Sequence, residues 1–144
     1  PFSPLRRARL ITGILLQSDR GIDVVRVVEF SLAKKIIAAV QSGPFLVEEN
    51  KRIRGLNDSQ VARRTFAGIA TDDRAFLGVC SDVSLGQLAN ILATAPIVAD
   101  SKIRRAMNLD GGSSSAFWFA REDGSAFSIS GRKPVRDFVA VVPK

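Results

Sequence analysis

The chain has 144 residues, an apolar share of 46% and a net charge of +7. The length fits one domain over residues 1–144, and the apolar share is enough for a buried core and excludes a disordered chain. No apolar run approaches the roughly 20 residues that span a bilayer. Cys80 is alone, which excludes an internal disulfide, and histidine is absent. Acid–base chemistry must therefore come from carboxylates, from lysines or from outside the chain.

The excess of basic residues favours an anionic partner, such as a nucleic acid, an acidic lipid or a phosphorylated substrate. These residues form no long tract and occur in short groups, as at Arg6-Arg7, Lys34-Lys35, Arg63-Arg64 and Arg104-Arg105. One tryptophan and no tyrosine accompany them, so platforms for base stacking are sparse. We therefore rank a nucleic-acid-binding domain last and expect no nucleic acid as partner.

The N-terminal part predicts a hairpin followed by a helix. Residues 8–17 and 22–30 are apolar and β-prone, and a turn at residues 18–21 joins them. Ser31 is a candidate N-cap, and apolar residues then recur at helical spacing, at Leu32, Ile36, Ile37 and Val40. This helix should end at residues 41–44, where glycine and proline interrupt the pattern.

The middle of the chain predicts two further hairpins. Residues 45–48 and 51–54 should pair across a short turn, and residues 55–60 are polar and loop-like. Alternating apolar residues at 64–69 and 75–80 flank a second polar turn. Both pairs favour antiparallel sheet.

A capping box predicts the start of a second helix. Ser84 and Gln87 have the spacing at which each side chain reaches an unpaired backbone N–H of the other. The helix ends before Pro96, and its apolar face consists of Leu85, Leu88, Ile91 and Leu92. Residues 101–107 should add a further helical turn.

Strands are predicted for the C-terminal part. Residues 115–120 and 125–130 flank Asp123-Gly124, a dipeptide typical of hairpin turns. Residues 135–142 (VRDFVAVV) should form the last strand. The predicted fold class is α+β, a mainly antiparallel sheet built from hairpins with about two helices.

Residues 108–115 (NLDGGSSS) are the candidate functional segment. Asp110 precedes Gly111 and Gly112, and glycines let a ligand approach the backbone closely. Free N–H groups in such a turn, with serine hydroxyls beside them, can receive an anion. The alternative is an ordinary turn with a surface acid, and these residues alone leave both interpretations open.

Five separated segments resemble those of one enzyme family. They are Gln41-Ser42-Gly43-Pro44, Arg64-Thr65 with Gly68-Ile69, Asp82 before a leucine-rich helix, residues 108–114, and Lys133-Pro134-Val135. Over residues 30–142 their order and spacing are similar to those of the phosphodiester glycosidases related to the lysosomal uncovering enzyme, N-acetylglucosamine-1-phosphodiester α-N-acetylglucosaminidase.

The resemblance implies a hydrolase that releases the sugar from a sugar-phosphate diester, with an anionic sugar-phosphate or glycan as substrate. It implies Asp110 and Asp82 as catalytic carboxylates and Arg64 as the cation that binds the phosphate. It further implies substrate contacts at Gln41, Gly43, Thr65, Gly111, Gly112, Ser113, Ser114 and Lys133. We expect Arg64, Asp110, the glycine turn and Gln41 to meet in one cleft.

No compact ligand spacing supports a metal site and we expect no cofactor, while a divalent cation at Asp82 or Asp110 stays open. The resemblance favours an extracytoplasmic location, either secreted or periplasmic.

The chain departs from the family pattern at several positions. Ser113 replaces a third glycine, Lys133 an arginine and Asp137 an asparagine. The family's upstream Asn-x-Gly-aromatic segment does not occur, so we expect a domain without its N-terminal portion or a member that has lost this segment. The alternative function is a non-catalytic carbohydrate- or cell-envelope-binding module of the same fold.

Overall fold

A computed structural model describes residues 5, 8–31, 35–97, 100–135 and 137–142. Within these ranges the chain is mostly β, broadly α+β, with one α-helix, α1 (Leu85–Thr94). Short 3-10 turns lie at Val27–Glu29 and Gly112–Ser114. The strands are β1 (Gly13–Ser18), β2 (Gly21–Arg26), β3 (Ile36–Ser42), β4 (Phe45–Glu48), β5 (Lys51–Arg52), β6 (Ala62–Ala70), β7 (Ala75–Val83), β8 (Ile103–Gly111), β9 (Phe117–Ala120) and β10 (Ala126–Ile129).

The strands form three antiparallel sheets. The largest has the order β5-β4-β8-β6-β7, the second has the order β2-β1-β3, and β9 pairs with β10. Successive side chains of a strand point to opposite faces. On β6, Phe66 packs in the cluster that contains Leu88 of α1, whereas Ala67 packs in the cluster that contains Val24 of β2. The five-stranded sheet therefore has α1 on one face and the three-stranded sheet on the other.

The four predicted hairpins are confirmed as β1–β2, β4–β5, β6–β7 and β9–β10. The capping box of α1 is confirmed as well. The Ser84 hydroxyl accepts from the Gln87 N–H at 3.0 Å, and Gln87 Oε1 accepts from the Ser84 N–H at 2.8 Å. Turn chemistry and capping act over a few residues, so the sequence alone was enough to predict these elements.

The helix predicted from Ser31 to Val40 is wrong. The chain forms β3 there, which pairs with β1 in a register that sets Gln41 opposite Ile14 and Ala39 opposite Leu16; residues 32–34 lie outside the described part. Ile36, Ile37 and Val40 are β-branched and suit a pleated strand. The spacing of the four apolar residues fits both a helix and a strand, so the pairing with β1 decides which of the two forms.

Two predictions for the C-terminal half are also wrong. The helical turn predicted over residues 101–107 is the first part of β8, which lies between β4 and β6. A strand covered on both faces loses the alternation that identifies strands, and Ile103, Ala106 and Met107 are all buried. The last predicted strand does not form, because residues 135 and 137–142 lie outside any sheet.

Two arginine–glutamate pairs connect the sheets. Arg26 Nε donates to Glu48 Oε1 at 2.9 Å, and Arg105 Nη1 donates to Glu29 Oε2 at 2.7 Å. The hydrogen bond from Arg26 lowers the pKa of Glu48, and that from Arg105 lowers the pKa of Glu29. A lowered carboxyl pKa stabilises the fold above the unfolded-state pKa of about 4.3, and this contribution disappears as the pH falls through the folded-state value.

We therefore expect Glu48→Gln to reduce the pH dependence of stability. The free energy of unfolding should change less between about pH 5 and pH 3 in this variant than in the parent protein, because glutamine does not titrate there. Glu49→Gln is the matched control, since Glu49 forms no ion pair with any residue that the structure describes. Equal pH dependence of Glu48→Gln and the parent protein would contradict the stabilising role of this pair.

Candidate functional site

One end of the five-stranded sheet gathers predicted site residues from three strands. Antiparallel pairing places Asp110 of β8 opposite Thr65 of β6, and Gly111 opposite Arg64. On the other side of β6, Asp82 lies in a bulge of β7 and has a φ of +57°. The last residues of β7 and β8 therefore lie beside the first residues of β6.

The segment before β4 is bound to the same end of the sheet. The Asn108 side-chain amide donates to the Gly43 carbonyl at 3.1 Å, and the Asn108 N–H donates to the Pro44 carbonyl at 2.9 Å. The Ser42 hydroxyl donates to the Leu109 carbonyl. Two segments that are more than 60 residues apart in the chain are thus connected by three hydrogen bonds.

Gln41 lies one residue before this connection, at the end of β3. It is half-buried, and its Nε2 donates to the Ile11 carbonyl at 3.5 Å. Thr65, in contrast, is at the sheet end itself, where its hydroxyl donates to the Asp110 carbonyl at 3.4 Å. Gln41 therefore contacts the segment before β1, whereas Thr65 is next to Asp110, the candidate carboxylate.

The turn after β8 brings the C-terminal loop to the site. Gly112 has a φ of +70°, a conformation that suits glycine, and opens the 3-10 turn. The Ser114 hydroxyl donates to the Gly111 carbonyl at 3.3 Å. The Lys133 N–H donates to the Ser113 carbonyl at 3.1 Å, so two of the three residues that depart from the family pattern are neighbours.

Arg63 fixes this turn, and no local sequence pattern indicates its role. Its Nη1 donates to the Ser115 carbonyl at 3.1 Å and to the Ser130 carbonyl at 2.9 Å. Ser115 is fully buried, and its hydroxyl donates to the Arg63 carbonyl at 3.4 Å. Because Arg63 and Arg64 are adjacent and identical, only their orientations in the sheet distinguish them.

Arg64 and Asp110 lie side by side at this sheet end, but their side chains point in different directions. They occupy successive register positions, so their side chains leave opposite faces of the sheet. The Arg64 guanidinium donates to the Gln60 carbonyl at 2.9 Å, and Asp110 Oδ1 accepts from the Gly111 N–H at 2.6 Å. No ion pair joins them. Gly111 lies between them, and a Cβ there would be 2.5 Å from Arg64 Nη1.

Two buried polar atoms at this end of the sheet have no hydrogen-bond partner among the described residues. They are Arg64 Nε and Asn108 Oδ1. Leaving a buried polar group unpaired costs about 1–3 kcal/mol, so such groups are uncommon in folded proteins. Both belong to segments that carry the family resemblance.

Asp82 and Asp110, the carboxylates of the candidate site, are exposed and lie apart from each other. Asp82 and Asp110 lie on strands separated by β6, so their backbones are at least about 10 Å apart, the width of two strand spacings. Among the described residues, no three side chains of the His, Cys, Asp or Glu type are grouped to hold a metal ion. Burial, with the charge of Asp82, raises the pKa of the Cys80 thiol, so Cys80 is a poor nucleophile.

The family model for phosphodiester glycosidases matches residues 8–142. The chain belongs to the phosphodiester glycosidase family. The match includes all five segments that carry the resemblance, and the recognition of the family from those segments is confirmed. No curated protein and no solved structure matches this phosphodiester glycosidase domain. None of the helices in the described ranges is both long and apolar enough to cross a membrane.

Proposed function

We propose that this phosphodiester glycosidase domain hydrolyses a sugar-phosphate diester and releases the sugar. The main support for this proposal is the position of three segments in the fold. The Gln-Ser-Gly-Pro, Arg-Thr and Asn-Leu-Asp-Gly-Gly segments are far apart in the sequence, yet they meet at one end of the sheet in a chain that belongs to this family. The resemblance also supports an extracytoplasmic location.

The chemistry requires a cation and a carboxylate. Breaking the bond between the sugar carbon and the phosphate oxygen builds positive charge on the sugar and leaves a phosphate monoester. Asp110 is our first candidate to stabilise or attack that carbon, and Asp82 is the second. Arg64 would bind two phosphate oxygens through its guanidinium. Water supplies the oxygen that ends on the sugar.

The opposite orientations of Arg64 and Asp110 define how a diester would lie. Gly111 and Gly112 carry no side chains, so the ligand would cross the end of the sheet over their backbone. The sugar would then face Asp110 on one side, and the phosphate would face Arg64 on the other. In this arrangement further contacts would come from the hydroxyls of Thr65, Ser113 and Ser114 and from the ammonium group of Lys133. Gln41 and Gly43 would add contacts from the segment before β4.

A non-catalytic carbohydrate- or cell-envelope-binding module is the second candidate function. Asp82, Asp110 and Gly112 are all exposed, so the sheet end is open to solvent. An open surface binds a ligand more easily than it excludes water from a reaction. Binding without hydrolysis of the diester would support this second function over the first.

Arg64→Ala tests the phosphate site. Losing charge-assisted hydrogen bonds worth about 1.5–3 kcal/mol should weaken the affinity for a sugar-1-phosphate methyl diester by at least about tenfold. Titration calorimetry measures this affinity. Arg64→Lys keeps the charge without the paired geometry and should give an intermediate loss. Arg20→Ala, at an exposed turn, is the control. An affinity of Arg64→Ala equal to that of Arg20→Ala would remove Arg64 from the phosphate site.

A further inference from the structure

A groove lies between the β4–β5 hairpin and the second half of α1. It has a volume of about 530 Å³. Its lining contains three cations and no acid, and consists of Asn50, Lys51, Arg52, Arg54, Asn90, Ala93 and Thr94. We call this the basic groove. A hollow of about 220 Å³ adjoins it and shares Arg52 and Arg54.

The cations of the basic groove form no ion pair, unlike four arginines elsewhere in the described structure. Arg26, Arg74, Arg104 and Arg105 each form an ion pair with a glutamate or an aspartate. In contrast, the side chains of Lys51, Arg52 and Arg54 form no hydrogen bond or ion pair with any described residue, and all three are exposed.

The acid that lines the adjoining hollow does not neutralise these cations. Asp58 lines the adjoining hollow, but its Oδ1 accepts from the Ser84 hydroxyl at 3.1 Å. A Cβ at Gly86 would overlap this carboxylate, so Asp58 is packed against the start of α1. There it faces the positive end of the helix dipole. No acid lines the basic groove itself, so its positive charge is available to a ligand.

The basic groove is remote from the sheet end described above. The Asn50 N–H donates to the Arg104 carbonyl at 3.3 Å, near the start of β8. Asp110 is six positions further along the same strand, which is about 20 Å at the rise of an antiparallel strand. One small sugar-phosphate cannot reach both places.

We propose that the basic groove binds a ligand that carries two or more phosphate groups. Two arginines supply paired donors that match phosphate oxygens, and Lys51 supplies a point charge. The volume suits a small ligand rather than a single ion. Asn50 and Asn90 add amide groups that can bind further oxygens. The phosphates can belong to a free oligophosphate or to a phosphodiester-linked glycan, and both share this chemistry.

The test compares two charge-reversal variants. Arg52→Glu/Arg54→Glu removes the paired donors, and Arg9→Glu/Arg20→Glu makes the same change at exposed positions elsewhere. Each substitution replaces one positive by one negative charge, so both variants have a net charge of +3 instead of +7. The probes are inorganic tripolyphosphate, a phosphodiester-linked trisaccharide and a DNA duplex of 12 base pairs, titrated at about 0.15 M salt.

We expect the groove variant to lose at least about thirtyfold in affinity for tripolyphosphate or for the trisaccharide, and the control variant less than about threefold, because exposed distant charges are screened. The probe that binds more tightly shows whether the phosphates of the ligand belong to a free oligophosphate or to a phosphodiester-linked glycan. Lys51→Gln/Arg54→Gln, which removes charge without reversing it, should show a smaller loss.

Three results would overturn the proposal. Equal losses in the groove and control variants would show that only net charge matters. Absence of binding by both phosphate probes would remove the site. Tighter binding of the duplex than of either probe, lost in the groove variant, would assign the groove to nucleic acid instead. Because every readout is binding, these results do not depend on whether the protein hydrolyses a diester.

Discussion

Asp110→Asn should lower the hydrolysis of a sugar-phosphate diester by at least about a hundredfold, the lower end for losing a positioned acid–base group. The substitution keeps the size of the side chain, and its amide oxygen can still accept from the Gly111 N–H. Because Asp110 is exposed, the free energy of unfolding should change by less than about 1 kcal/mol. Only the charge is lost, so a large effect on rate would identify a chemical role.

Rates and chemical denaturation of the same preparations measure both quantities. Asp19→Asn, at an exposed turn between β1 and β2, is the matched control and should leave both unchanged. Full activity of Asp110→Asn would move the catalytic role to Asp82. Unfolding of Asp110→Asn would instead show that the carboxylate is a structural acid of its own turn.

Gly43→Ala should destabilise the fold by about 3 kcal/mol, in the upper range for overpacked sites. Gly43 has a φ of +153°, and a Cβ there would overlap the Leu10 carbonyl and lie 2.7 Å from the Thr12 N–H. Backbone atoms of this kind cannot rotate away as a side chain can. Any shift of Gly43 would also break the bond from Asn108 to its carbonyl, so diester hydrolysis should fall as well.

A comparison with Gly55→Ala separates the loss of stability caused by steric overlap from the loss caused by a positive φ. Gly55 has a φ of +73° and nothing within 4 Å of its Cβ position, so alanine should cost about 1–2 kcal/mol there. Thermal or chemical unfolding of the two variants measures the difference. If Gly43→Ala is no more destabilising than Gly55→Ala, the close packing of the Gly43 segment against Leu10 and Thr12 does not contribute.

The elements that the sequence predicted correctly depend on short-range chemistry. Asp123-Gly124 specifies a hairpin turn, and the Ser84 to Gln87 spacing specifies a helix start. The helix predicted from Ser31 to Val40 failed because its apolar spacing suits either period, and pairing with β1 is a long-range contact. The prediction for residues 101–107 failed because a strand buried on both faces shows no alternation.

The sequence predicts which residues belong to the candidate site, but not how their side chains are oriented. Resemblance to the family identified Arg64 and Asp110, and the pairing of β6 with β8 does place them side by side. Which face each side chain takes depends on register, and a shift of one residue would reverse it. The role of Arg63 depends on carbonyls of the Ser115 and Ser130 segments, which no local pattern indicates.

Hydrolysis of a sugar-1-phosphate methyl diester in water labelled with oxygen-18 shows which bond of the diester the domain breaks. If the domain cleaves the bond between the sugar carbon and the phosphate oxygen, mass spectrometry should find the label in the released sugar and none in methyl phosphate. Label in the phosphate product would show attack at phosphorus and contradict the proposed role of Asp110. Binding of the diester without any labelled product would contradict catalysis and support the carbohydrate-binding alternative.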